Sequence, residues 1–182
     1  ERIRDHELPQ RLLHERAVVW RNHEASRDIA SLEPWTRRFS TYLLHEYFIP
    51  VPAFLHFARA MARILRQHDV HALNVSIRHS PADTDSLLRW APVEVFSFVL
   101  FHKQRNSTSA DAEAGRWTRK LVDAALDCGG RYYLPYRLHA TRAQFLRAYP
   151  EAERFAAIKR RIDPAGRFRN RLWERYLPAT DA

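Results

Sequence analysis

The stretch "ALNVSIRHSPADTDSLLRWAPVEVFSFVLFHK" (Ala72 to Lys103) decides the fold, because it holds two strand patterns in succession. The first, "ALNVSIRH" (Ala72 to His79), stops at Ser80-Pro81; the second, "VEVFSFVLFHK" (Val93 to Lys103), is the most apolar strand of the chain. No amphipathic helix is patterned between them. One side of the first strand is polar throughout, with Asn74, Ser76 and Arg78. Such a side is either the solvated face of a sheet or the lining of a site.

Working outward, "TYLLHEYFI" (Thr41 to Ile49) reads as a strand ending at Pro50, and "RYYLPY" (Arg131 to Tyr136) as a strand after the Gly129-Gly130 break. Pro52 to His68 is patterned as a helix, with Phe54, Phe57, Ala58, Met61, Ile64 and Leu65 on one stripe and Pro52 in the first turn. Ser109 to Cys128 repeats the pattern with Ala114, Trp117, Leu121, Ala125 and Cys128. Ser109, Asp111 and Glu113 suit its start and Gly129 its stop. The order β-α-β-β-α-β predicts an α+β, ferredoxin-like unit: an antiparallel sheet with both helices on one face. Its other face must meet solvent, a ligand or another domain.

Around this unit, residues 1–40 read as a helical and irregular leader, 41–140 as the α+β domain, and 141–182 as a C-terminal helical segment. That segment has helical patches at Thr141–Ala148 and Pro150–Ile162, followed by the turn "DPAGRFRN". The chain starts at Glu1 rather than Met, which points to a fragment. No run approaches the roughly 18 apolar residues that span a bilayer, and no secretory signal opens the chain, so no membrane span and a cytoplasmic location are expected.

The chain carries 30 Lys+Arg against 21 Asp+Glu, a net +9. Most of the cations are arginines scattered along the length, as solvated surface charge is, and they form no block of the kind that grips a polyanion. The single cysteine, Cys128, excludes an internal disulfide and a cysteine zinc site, and at a helix end reads as a small buried residue. Of the ten histidines, none completes H-E-x-x-H or another ligand spacing, so no metal is expected. With four glycines in all, the chain has no G-x-G-x-x-G and no phosphate cradle of its own.

Alternation lists the candidates for the uncovered face. Tyr42, Leu44, Glu46 and Phe48 share one side of the first strand; Asn74, Ser76 and Arg78 share one side of the second. The last strand and its exit add Tyr133, Tyr136, Arg137 and His139. Aromatics mixed with a few polar groups suit a small-molecule wall. A plain structural reading stands beside this, with Glu46 paired to Arg78 across strands and His45 and His79 half-exposed. The RNA-recognition motif shares the element order, and "EVFSFVLF" (Glu94 to Phe101) matches its aromatic strand at Phe96, Phe98, Val99 and Phe101. Glu94 and Val95 replace the basic residue and glycine of that motif. A non-catalytic RNA-binding or protein-interaction module is therefore the alternative.

The tail "GGRYYLPYRLHATRAQFLRAYPEAERFAAIKRRIDPAGRFRNRLWERYL" resembles the C-terminal end of FAD-linked oxidases of the vanillyl-alcohol oxidase superfamily, on Tyr149-Pro150, Lys159, Asp163-Pro164, Gly166, Phe168 and Asn170. "HEYFIPV" (His45 to Val51) and "NVSIRHSPAD" (Asn74 to Asp83) resemble strands of the branch holding sugar-lactone, alditol and decaprenylphosphoryl-ribose oxidases. The resemblance implies an FAD-dependent enzyme oxidising an alcohol carbon of a sugar, polyol or lactone-like substrate. This chain would be its substrate, or cap, portion, with FAD held mainly by a separate N-terminal lobe of the same protein. It further implies Arg78, Arg137 and Tyr136 as catalytic residues. Arg78 matches the arginine of the E-I-R strand signature, while Ser76 departs from that signature's glutamate. Arg137 falls on the site lysine of lactone and alditol oxidases, which in the ribose-oxidase pattern meets Tyr136. Glu46, Asn74, Ser76, Tyr133 and His139 would bind substrate, and Arg169 and Asn170 would help close the flavin pocket. No nucleic-acid partner is expected. By itself the fragment is expected to lack FAD and turnover, and to dimerise through its docking surface.

Overall fold

Alternating apolar residues build a four-stranded antiparallel sheet, in a computed structural model that describes residues 38–177. Strand β1 (Ser40–Pro50) leads through a 3-10 turn (Val51–Ala53) into helix α1 (Phe54–Gln67). Strands β2 (Ala72–Ser80) and β3 (Val95–Arg105) follow, then α2 (Thr108–Asp127), β4 (Arg131–Tyr132), and three C-terminal helices: α3 (Arg142–Ala148), α4 (Ala152–Ile162) and α5 (Arg171–Tyr176). The spatial order is β2-β3-β1-β4, that of a ferredoxin-like sheet. The expected leader lies outside the described residues except for residues 38–40. No helix among the described residues is long and apolar enough to cross a membrane.

Both helices of the repeat lie on one face because each carries a single apolar stripe. From α1, Phe57, Ala60, Met61 and Ile64 are buried; from α2, Trp117, Leu121, Val122 and Ala125 are. They meet Tyr47 and Ile49 of β1 and Phe98 and Leu100 of β3 in one core. Phe57 packs its ring tilted against Tyr47 (5.6 Å) and edge to face with Phe98 (5.0 Å).

The end of α2 fixes where β4 begins. Its N-cap is Ser107, whose Oγ accepts from the Ala110 amide at 3.2 Å, two residues earlier than the sequence pattern places it. Gly129 turns the chain out of the helix at φ +70°. At Gly130 a Cβ would stand 2.4 Å from the Phe48 carbonyl oxygen, so only glycine lets β4 close onto β1. The pairing is short: Arg131 and Tyr132 face Phe48 and Tyr47. The strand expected as far as Tyr136 stops because Leu134-Pro135 turns the chain away. Tyr133 keeps one bond from its amide to the Glu46 carbonyl (2.9 Å).

The C-terminal helices add to the core through α3. A capping box at its start, with Thr141 and Gln144 exchanging side-chain and backbone bonds, sets its direction. Phe145 stacks flat on Tyr176 of α5 at 4.6 Å, and the Tyr176 hydroxyl donates to the Ala140 carbonyl at 3.0 Å.

A candidate substrate-binding face

Antiparallel register sorts the strand residues into two faces. Glu46 lies opposite Val99, and Val99 opposite Ser76; Phe48 lies opposite Ser97, and Ser97 opposite Arg78; Leu44, Phe101 and Asn74 form the next row. These rows point away from the helices. The residues between them, His45, Tyr47, Phe98, Leu100 and His102, point toward the helices and are buried.

The helix-free face gathers a compact set of chemistry. Ser97, only 3% exposed, donates its hydroxyl to Glu46 Oε1. Arg78 sits opposite Ser97 on the edge strand, and its side chain makes no hydrogen bond or ion pair with any described residue. Asn74 donates Nδ2 to Ser76 Oγ at 3.3 Å. Tyr133 and Tyr136 meet edge to face at 4.8 Å, and Tyr133 also meets Phe48 at 6.1 Å. Partial burial holds the Tyr136 phenol above its ordinary pKa, helped by the nearby Glu46 carboxylate and Tyr133, while Arg78 pulls it down. Tyr136 therefore lies within the fields of both the acid and the arginine. The cross-strand Glu46–Arg78 pair of the plain reading does not form; Ser97 takes the carboxylate instead.

The connection between β2 and β3 closes one end of this face. Asp83 accepts from the amides of Asp85 (3.1 Å) and Ser86 (3.0 Å), and its own amide bonds the Ala91 carbonyl at 2.7 Å. That fold-back buries Ala91 with Phe48 and Val95, and lays Trp90 on Phe48 at 4.8 Å. Arg131 pins the loop from beneath. It donates to the Arg89 carbonyl, forks onto both Glu151 oxygens (3.0 and 3.2 Å), and stands over the Tyr149 ring at 5.0 Å.

Two residues expected on this face lie elsewhere. Arg137 bonds Asp111 in the first turn of α2, and His139 packs on the helix side, its ring 5.9 Å from that of His45. The turn after β4 reverses the alternation that sequence periodicity had continued through them. His45 stacks on His102 at 5.2 Å, and Trp117 meets both edge-on. His45 is 4% exposed, so it is a core residue and not the half-exposed one of the plain reading. Burial drives the pKa of His45 well down and that of His102 to about 4, and it lowers His139, with neighbouring charges of like sign adding to the effect. His79 does reach solvent, paired with Glu94 at 2.8 Å. Among the described residues no such cluster is arranged to hold a metal ion.

Tyr136 also lines a groove of about 940 Å³ between the segment after β4 and α5, where Arg137, His139 and Asn170 form part of the walls. Asn170 caps α5 by accepting from the Trp173 amide at 2.8 Å. With Arg169, it borders a cleft of about 380 Å³ beside Lys159, Phe168 and Trp173. Asp163 organises the turn before it. Its carboxylate accepts from the Arg167 and Phe168 amides, both at 2.9 Å, and pairs with Lys159, which holds its pKa down at about 2. Phe168 is left 77% exposed at the turn's tip.

As a holder of FAD the described residues are a poor match, because their one pair of adjacent glycines, Gly129 and Gly130, is committed to the helix–strand junction and opens no phosphate-binding loop. Sequence reasoning missed Ser97, Trp90 and Arg131. The alternation of "VFSFVLF" carried the signal for Ser97, because it sets Val95, Ser97 and Val99 on one side. No curated protein gives a significant match to the chain. Residues 13–176 match the D-arabinono-1,4-lactone oxidase family. With that match spanning most of its length, the chain belongs to this family of FAD-linked oxidoreductases, in the sugar-lactone oxidase branch.

Proposed function

We propose that the helix-free face is the substrate wall of an FAD-dependent oxidoreductase that oxidises a CH–OH carbon of a sugar lactone or related polyol, the flavin being held by another lobe of the same protein. The observation that carries this is the set Glu46, Ser97, Arg78 and Tyr136 on the one sheet face that the helices leave bare. The Arg78 guanidinium stabilises negative charge on the substrate oxygen as the hydroxyl releases its proton to solvent. Tyr136, kept protonated, donates to a substrate oxygen. Glu46 accepts from a substrate hydroxyl and so orients it; Asn74 and Ser76 serve further hydroxyls along β2. Tyr133, Phe48 and Trp90 offer the apolar surface that the C–H side of a sugar ring prefers. When bound, FAD supplies the hydride acceptor.

Arg137 and His139 line the edge groove at Tyr136, and we assign them to shaping it. Arg169 and Asn170, with exposed Phe168 and Ile162 (74% exposed), form the surface that meets the flavin lobe. In the isolated chain that surface has no cover, so copies are expected to pair at high concentration; size exclusion across a concentration series reads this. The 182-residue chain alone is expected to bind no FAD and turn nothing over. Full-length protein is expected to purify yellow and to oxidise D-arabinono-1,4-lactone. A colourless full-length protein encoding no glycine-rich flavin lobe contradicts the proposal.

A further inference from the structure

We infer that Ser97 is a positioning residue of this face: it holds one oxygen of the Glu46 carboxylate so that the other is presented to a hydroxyl of a neutral, polyhydroxylated substrate. The inference rests on the reading above and adds the selectivity of the site. Ser97 is the only hydroxyl in the apolar run "VFSFVLF" and is 3% exposed. A hydroxyl buried at that depth is unfavourable unless it is bonded, and its bond goes to Glu46 Oε1. Glu46 Oε2 takes no bond from any described residue.

Position sharpens the role. Ser97 stands directly opposite Arg78, while Glu46 lies two residues along β1 from Phe48, the other residue opposite Ser97. Ser97 thus lies between acid and arginine, and no ion pair joins the two. Had they paired, each would neutralise the other and neither would be free for a ligand. Held apart, they ask complementary things of a substrate: Glu46 requires a hydrogen-bond donor, and Arg78 an oxygen acceptor. A polyol or lactone supplies both. A substrate carboxylate placed at Glu46 would meet repulsion with no proton to share. At Glu46 the site therefore takes a neutral hydroxyl in preference to a carboxylate.

The test uses flavin-loaded full-length protein with D-arabinono-1,4-lactone as probe, comparing wild type, Ser97→Ala, Ser97→Thr, Glu46→Ala and the Ser97→Ala/Glu46→Ala double variant. Loss of a hydrogen bond to a charged group predicts that Ser97→Ala raises KM about tenfold with kcat within about threefold, and that Ser97→Thr restores most of it. In the Glu46→Ala background, Ser97→Ala is expected to change KM by less than about twofold, because the group it positions is gone. An unchanged KM in Ser97→Ala overturns the inference, as does a KM effect of full size in the Glu46→Ala background, which would mark a merely structural serine. Wild-type protein that oxidises neither the lactone nor any neutral polyol overturns the functional reading itself, and this inference with it.

Discussion

The two faces of the sheet carry similar residue types and use them in opposite ways. On the helix side, His45 and His102 lie buried and stacked against the edge of Trp117, with His139 tilted beside His45, and desolvation favours their neutral forms. On the other, Arg78 is exposed, Glu46 and Tyr136 are half-buried and Ser97 is buried beneath Glu46, and the hydrogen-bonding capacity of the acid and the arginine is only partly used among the described residues. Polarity alone does not mark a site. What distinguishes the second set is place: its unpaired groups stand on a surface that no helix covers, whereas the unpaired ring nitrogens of His45, His102 and His139 are sealed in the core.

The comparison breaks most visibly in the core. Phe98, 1% exposed between Phe54 and Phe57, belongs to the helix side, and Phe98→Ala is expected to cost about 3–5 kcal/mol of stability, read by denaturant unfolding of the chain. A loss under 1 kcal/mol would mean that this face is loosely packed.

The histidines come next. In the unfolded chain they titrate near 6.5; in the fold His102 titrates near 4 and His45 well below its ordinary value. A depressed folded pKa means that the unfolded state binds more protons below 6.5. The contribution is whole above that pH and is lost as pH falls toward 4, by about 3 kcal/mol for His102 at the limit. Arg137, Arg119 and Arg175 add to the effect near His139, and Asp111 opposes it. His102→Phe is expected to flatten the stability curve between pH 6.5 and 4. An unchanged acid limb would place the titration elsewhere.

On the open face the weight shifts to kinetics. Glu46→Ala is expected to lower kcat/KM of the full-length enzyme about a hundredfold, while costing chain stability only about 1–3 kcal/mol, from leaving the buried Ser97 hydroxyl unbonded. A large stability loss with little kinetic effect would make Glu46 structural and erase the distinction between the faces.

Much of this was legible in the sequence. Period-two and helical stripes located β1, α1, β2, β3 and α2 within a few residues, because each element has one buried face. The pattern failed where tertiary turns override it. Past Tyr132 the chain leaves the sheet at Leu134-Pro135, so continued alternation put Arg137 and His139 on the wrong side. Register was the other missing quantity. Glu46 and Arg78 share a face as read, but only the β1–β3–β2 pairing shows Ser97 between them. The RNA-module alternative drew on the aromatics of β3, yet Phe96 and Phe98 point to the helix side and Glu46 occupies the middle of the open face.

The most direct test of the open face as a substrate wall is the rate at which D-arabinono-1,4-lactone bleaches the flavin of full-length enzyme without oxygen, in wild type and in Arg78→Ala. The Arg78 side chain bonds no described residue, so folding and the flavin spectrum should be untouched. Reduction is expected to slow by about a hundredfold or more. Equal rates in the two proteins would contradict the assignment of this face to substrate.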